Sequence, residues 1–162
     1  MEIIKREYKA YTFDELTEEA QYKAIEHLSD INVDYEWWDS IEDDAEQIGL
    51  SIIEFNTYHR TVKGKLLNDA IDVAEAIIRN HGEDCDTYKL AKQYIEDYEA
   101  LPQDEDGWRD SEEIDEEFEY ALSQEYLSML IKDYEYLTSR EAIIETIVAN
   151  DYSFTEDGKL FS

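Results

Sequence analysis

The sequence predicts a mostly helical α+β domain of about six helices with a small antiparallel sheet. Apolar residues recur at three- and four-residue intervals through most of the stretch from Glu18 to Asn150, the spacing of helices with one buried face. Two short segments, 50–55 and 57–62, are instead rich in β-branched and aromatic residues and read as strands. The chain also holds 13 Tyr, 5 Phe and 3 Trp, whereas disordered chains of comparable charge are poor in aromatics. With 162 residues, 43 % of them hydrophobic, one core of ordinary size can form, and a single domain over residues 1–162 is the default.

Each element has its own signal. Residues 2–13 set Ile4, Tyr8 and Phe13 among charges, a weak strand pattern. Thr17 has the chemistry of an N-cap, and Glu18 and Glu19 complement the dipole of a helix running to about Ser29. From Asp34, Trp37, Trp38, Ile41, Ala45 and Ile48 fall on one helical stripe, which predicts a helix over 35–48 stopped by Gly49. Glu36, Asp39, Asp43 and Glu46 fall on the opposite stripe, and at least one of the paired indoles belongs to the core. The 50–62 strands form a hairpin turning near Asn56, joined in one sheet by the N-terminal strand. Leu66–Asn80 is the most strongly amphipathic helix, ended by Gly82, and Asp86 is positioned to cap a helix that Pro102 stops.

Residues 103–113 carry no helical stripe and read as an acidic loop. A long helix follows from Ser111 to about Tyr136, in which Tyr126, Leu127, Met129, Leu130, Ile131 and Tyr134 cover more of the circumference than one contact face requires. That surplus is resolved either by a central position in the core or by a homodimer. Thr138 and Glu141 have capping-box spacing for a last helix, and Asp157-Gly158 between apolar flanks marks a closing hairpin.

Charge is the dominant feature of composition. Against 14 Lys and Arg stand 43 Asp and Glu, a formal net charge of -29. Duplex DNA carries two phosphates per base pair, so the chain matches the charge of roughly 14 to 15 base pairs. The acids are also clustered: Asp30–Glu46 holds 8 acids and no base, and Asp104–Glu119 holds 10 acids with Arg109 alone opposing them. Like charges three or four residues apart cost a helix about 0.2–0.5 kcal/mol per pair, so this clustering opposes local stability, whereas adaptation to salt would spread acid evenly. A field of this sign repels nucleic acid and anionic lipid and attracts basic proteins, so no direct nucleic-acid or membrane contact is expected.

Motifs for catalysis are missing from the sequence. It has no Gly-rich phosphate loop, no GxSxG and no HExxH, and His27, His59 and His81 are far apart and never three residues after a Glu. The acids around Cys85 oppose its thiolate form, which argues against a nucleophile. Aligning Gly107 with the sixth position of an EF-hand loop puts Pro102 at the first, and aligning Gly158 puts Ser153 and Thr155 at the first and third. No catalytic residue, metal or cofactor is therefore expected. The lone Cys and the lack of a basic, apolar N-terminal leader point to a cytoplasmic protein.

Four strings, YTFDELTEEAQYKA (11–24), WWDSIEDDAEQIGLSI (37–52), AEAIIRNHGEDCDTYKLA (74–91) and EYLTSREAIIETIVANDYSFTEDGKLF (135–161), resemble a family of small acidic proteins encoded by bacteriophages and prophages. The resemblance implies residence in a bacterial host and supplies no catalytic residues. Joined to the charge, it implies an inhibitor that imitates nucleic acid and blocks the binding site of a host defence complex, as anti-restriction and anti-CRISPR proteins do. The residues expected to meet such a basic partner are Glu36, Asp39, Glu42, Asp43, Glu46, Asp104, Asp106, Glu112, Glu113, Glu116 and Glu117. The alternative is a phage structural or regulatory protein that binds another protein through its long helix.

Overall fold

A computed structural model describes residues 1–161 and shows the expected class, with six α-helices and short antiparallel hairpins. The chain folds as two compact units, Met1–Trp37 with the described residues from Tyr134 onward, and Trp38–Asp133.

The first unit contains a 3₁₀ turn (Phe13–Glu15), α1 (Glu18–His27), α6 (Arg140–Ala149), and the strands β3 (Ser153–Phe154) and β4 (Leu160–Phe161). Its core is Phe13, Leu16, Ala20, Ala24, Ile143, Ile147 and Phe154. Thr17 caps α1 as its sequence position predicts, its hydroxyl accepting from the Ala20 amide at 3.2 Å. The Asp157-Gly158 hairpin also forms, and a Cβ on Gly158 would stand 2.3 Å from the Ala20 carbonyl oxygen. Only glycine lets that turn lie against the α1 backbone, and its φ of +87° fits the same residue. Buried Asn32 fastens the chain after α1: its amide donates to the Leu137 carbonyl at 2.9 Å and accepts from the Thr146 hydroxyl at 2.6 Å.

The N-terminal strand does not form. Residues 1–10 are exposed and outside regular structure, and Tyr11 alone pairs, with Phe154, through reciprocal bonds of 2.9 and 2.8 Å. A partner strand of two residues offers no longer ladder, and the charges flanking Ile4 and Tyr8 remain hydrated.

The second unit contains α2 (Asp39–Ile48), β1 (Leu50–Asn56), β2 (Thr61–Leu66), α3 (Ala70–Asn80), α4 (Asp86–Ala100) and most of α5 (Glu112–Leu137). Ile48, Leu50, Val73, Ala74, Ile77, Ala91, Phe118, Leu122 and Tyr126 are central to its core. β1 and β2 pair from Leu50↔Leu66 to Asn56↔Thr61 around a four-residue turn, with the Asn56 side chain accepting from the His59 amide at 2.9 Å. This sheet has two strands, not the three expected.

Several boundaries differ from the sequence reading. α2 starts at Asp39, because Trp38 turns its ring edge-on to Phe55 of the hairpin with centroids 5.8 Å apart, leaving Glu36 ahead of the helix. β2 extends to Leu66, so α3 begins four residues later than the apolar spacing suggests. Cys85, not Asp86, is the N-cap of α4, and α3 ends at Asn80 as expected, with His81 its C-cap and Gly82 the residue after it. Ser139 caps α6, accepting from the Ala142 amide at 3.2 Å, while the Thr138 hydroxyl donates to the Tyr134 carbonyl. Along α5, Tyr126, Leu127 and Leu130 are buried and Met129, Ile131 and Tyr134 half-buried.

Candidate functional site

The structure sorts the acids of the two clusters into an outward set and an inward set. On α2, Asp39, Asp43 and Glu46 are exposed and Glu42 is half-buried. Asp44 turns the other way: its Oδ2 accepts from the Tyr126 hydroxyl at 2.7 Å and lies 3.3 Å from His81 Nε2, without the angle of a hydrogen bond. The other ring nitrogen of His81, Nδ1, stands 2.6 Å from the Thr87 hydroxyl. Burial, followed by the bond to Asp44 and its charge, pushes the Tyr126 phenol above its ordinary range. Hydroxyl, imidazole and carboxylate in line is an arrangement found in nucleophilic relays, but Thr87 is fully buried. The run braces α2, α3, α4 and α5 against one another.

The second cluster divides likewise. The 104–108 loop is organised by Asp104, whose Oδ1 accepts from the Asp106 amide at 2.9 Å and the Trp108 amide at 2.8 Å. Asp106 is exposed beside it. At the start of α5, Glu112, Glu113, Glu116 and Glu117 all face solvent, and Asp110, Glu112, Glu113 and Glu116 rim a shallow open depression. The intervening acids point inward at helical spacing: Asp115 accepts from the hydroxyls of Tyr94 and Ser111, and Glu119 accepts from the Leu66 amide at 3.1 Å. Burial, then the neighbouring Asp115, raises the Tyr94 phenol above its ordinary range.

Arg109, the single base of this run, does not neutralise the outward acids. Its guanidinium lies over the Tyr98 ring, 5.3 Å from the centroid, and its Nε donates to the Leu101 carbonyl at 3.3 Å. Glu36 is exposed as well, but belongs to the first unit. Within the second unit, α5 itself supplies a ruler. At 1.5 Å per residue, Glu112–Glu117 lie roughly 14–21 Å along the helix from Tyr126, the residue bonded to α2, which is the rise of about four to six base pairs.

The inward acids are what sequence reasoning missed. Asp44, Asp115 and Glu119 are indistinguishable by composition from their neighbours, and only the 3.6-residue phase set by Ala45, Ile48, Phe118 and Leu122 could have singled them out. Among the described residues no three His, Cys, Asp or Glu side chains are grouped to hold a metal ion. Comparison of the chain with protein-family models, with curated proteins and with solved structures finds no match. No helix of the described residues is long and apolar enough to cross a membrane.

Proposed function

We propose that this protein is a nucleic-acid mimic, an inhibitor that occupies the DNA- or RNA-binding site of a basic host protein complex. The observation that carries the reading is the sorting of the acids. Asp39, Asp43 and Glu46 on α2, and Glu112, Glu113, Glu116 and Glu117 on α5, stand outward, while Asp44, Asp115 and Glu119 hold the fold. Such an arrangement keeps carboxylates at fixed spacing, as a phosphate backbone does, and pairs with the Arg and Lys that would hold phosphates. The long-range attraction of the -29 charge speeds encounter with a basic channel. On the resemblance read from four strings of the sequence, we propose a bacterial defence complex of the anti-restriction or anti-CRISPR kind as the target. The action is occupancy, with no bond made or broken.

The alternative, attachment to another phage protein through the long helix, would rest on the exposed Tyr120 and Tyr136, because the other apolar residues of α5 are buried or half-buried in the chain. The mimicry reading is tested by adding the protein to a purified restriction or surveillance complex and following loss of its nucleic-acid binding as salt is raised. Inhibition should weaken steeply between 50 and 200 mM salt, as many screened charge pairs require, over the interval in which protein–DNA binding does so. Inhibition independent of salt would contradict the reading.

A further inference from the structure

Beside the α5 acids lies a cavity of about 270 Å³ bounded by Asp69, Tyr94, Tyr98, Trp108, Arg109 and Asp115, all in the second unit. Its lip is Trp108, which is 63 % exposed. This exposure is built in. The loop carrying the indole is closed by Asp104 N–H to the Trp108 carbonyl at 2.8 Å and by the Asp104 carboxylate to the Trp108 amide, so the ring is held outward rather than left to collapse. Exposed Trp on an ordered loop is typical of the anchors that dominate interfaces.

The lining chooses the sign of the ligand. Arg109 and the N-terminal end of α3, worth about half a charge, favour an anion. Asp69 caps α3 without a side-chain bond, and Asp115, although it accepts two hydroxyl bonds, keeps further acceptor sites. These two carboxylates face a field that Asp110, Glu112, Glu113 and Glu116 reinforce at the adjoining depression. A cation is favoured, and the exposed π face of Trp108 favours a planar one. The chain demonstrates this preference itself, since the cation already resting on the Tyr98 ring is the guanidinium of Arg109.

We propose that this cavity is an arginine-binding pocket, in which a guanidinium enters between Trp108 and the Arg109–Tyr98 stack and bonds to Asp115 and Asp69. The identity of the donor as an arginine of the inhibited complex rests on the mimicry reading, but the chemistry of the pocket does not. It gives the inhibitor a shaped anchor next to an otherwise diffuse acidic surface, and makes arginine rather than lysine the residue it seeks.

The test is a titration of the whole ¹⁵N-labelled protein with N-acetyl-arginine methylamide and, separately, N-acetyl-lysine methylamide, followed through the Trp108 indole N–H and the amides of Ile71 and Ser111, which also line the cavity. The arginine probe should give saturable shifts at these three groups and bind about fivefold more tightly than the lysine probe. Trp108→Ala should abolish the preference, and Asp69→Asn should weaken the arginine probe severalfold; both changes lie at the exposed rim and should leave the melting temperature unaltered. Equal affinity for the two probes, shifts spread evenly over the acidic surface, or a preference that survives Trp108→Ala would overturn the proposal. Those outcomes leave the mimicry carried by the α2 and α5 carboxylates untouched. Conversely, a failure to displace nucleic acid would leave probe selectivity as it is.

Discussion

The hydroxyl of Tyr126 donates to Oδ2 of Asp44 at 2.7 Å, joining the middle of α5 to α2 across 82 positions of sequence. Tyr126 is fully buried, whereas the Asp44 side chain retains 46 % of its exposure, so the bond sits where the core of the second unit meets the acidic surface. Through it, the phase of α2 is fixed: with Asp44 inward, Asp39, Asp43 and Glu46 face solvent.

Tyr126→Phe should therefore cost about 1 kcal/mol in chemical denaturation. That is the worth of one hydrogen bond whose carboxylate partner can be rehydrated, and it lies at the low end of the penalty for stranding a buried group. A loss above about 3 kcal/mol would mean that the phenol supports more of the core than this single bond.

Alkaline pH provides a second check. The phenols of Tyr94 and Tyr126 are raised by burial first and by Asp115 and Asp44 next, so the folded state holds their protons more tightly than the unfolded state does. Their contribution to stability is complete below the ordinary phenol pKa of about 10 and is lost as pH rises above it toward the folded values. Absorbance titration of the native protein should thus lose no phenolate signal near pH 10 on Tyr94→Phe or Tyr126→Phe, although all 13 tyrosines titrate in denaturant. A native amplitude reduced by one tyrosine in either variant would contradict the assignment.

Gly64 is required by proximity rather than by backbone angle. A Cβ there would lie 2.2 Å from the Ser123 hydroxyl oxygen, because β2 passes directly over α5. Gly64→Ala should destabilise by about 1–3 kcal/mol, the usual effect of overpacking, and Ser123→Ala in the same chain should recover part of the loss. Additive effects in a double-mutant cycle would show that the two residues do not meet.

Much of this architecture is legible in the sequence where local chemistry decides it. Thr17 and Gly49 mark helix ends, Asp157-Gly158 marks a hairpin, and the stripes of α3 and α4 mark their buried faces. Failures occur where a distant partner decides. The N-terminal pattern lacks a strand long enough to pair with, and α2 starts late because Trp38 meets Phe55, seventeen positions away. The candidate interface is legible as charge but not as geometry. Composition shows the two acidic runs, yet the long-range bonds of Asp44 to Tyr126, Asp115 to Tyr94 and Glu119 to Leu66 determine which acids remain outward.

The most direct test of mimicry neutralises the outward acids while leaving the inward ones in place. In the first variant Asp39, Asp43 and Glu46 become Asn or Gln; in the second, Glu112, Glu113, Glu116 and Glu117 become Gln. Each substitution set removes like-charge pairs worth about 0.2–0.5 kcal/mol apiece and some favourable first-turn charge, so both folds should melt near the wild-type temperature. The wild-type protein, immobilised and exposed to a bacterial lysate at physiological salt, should retain a nucleic-acid-binding complex that excess duplex DNA or structured RNA elutes, and the variants should retain far less of it. Retention that is unaffected by nucleic acid and equal in both variants would contradict the account.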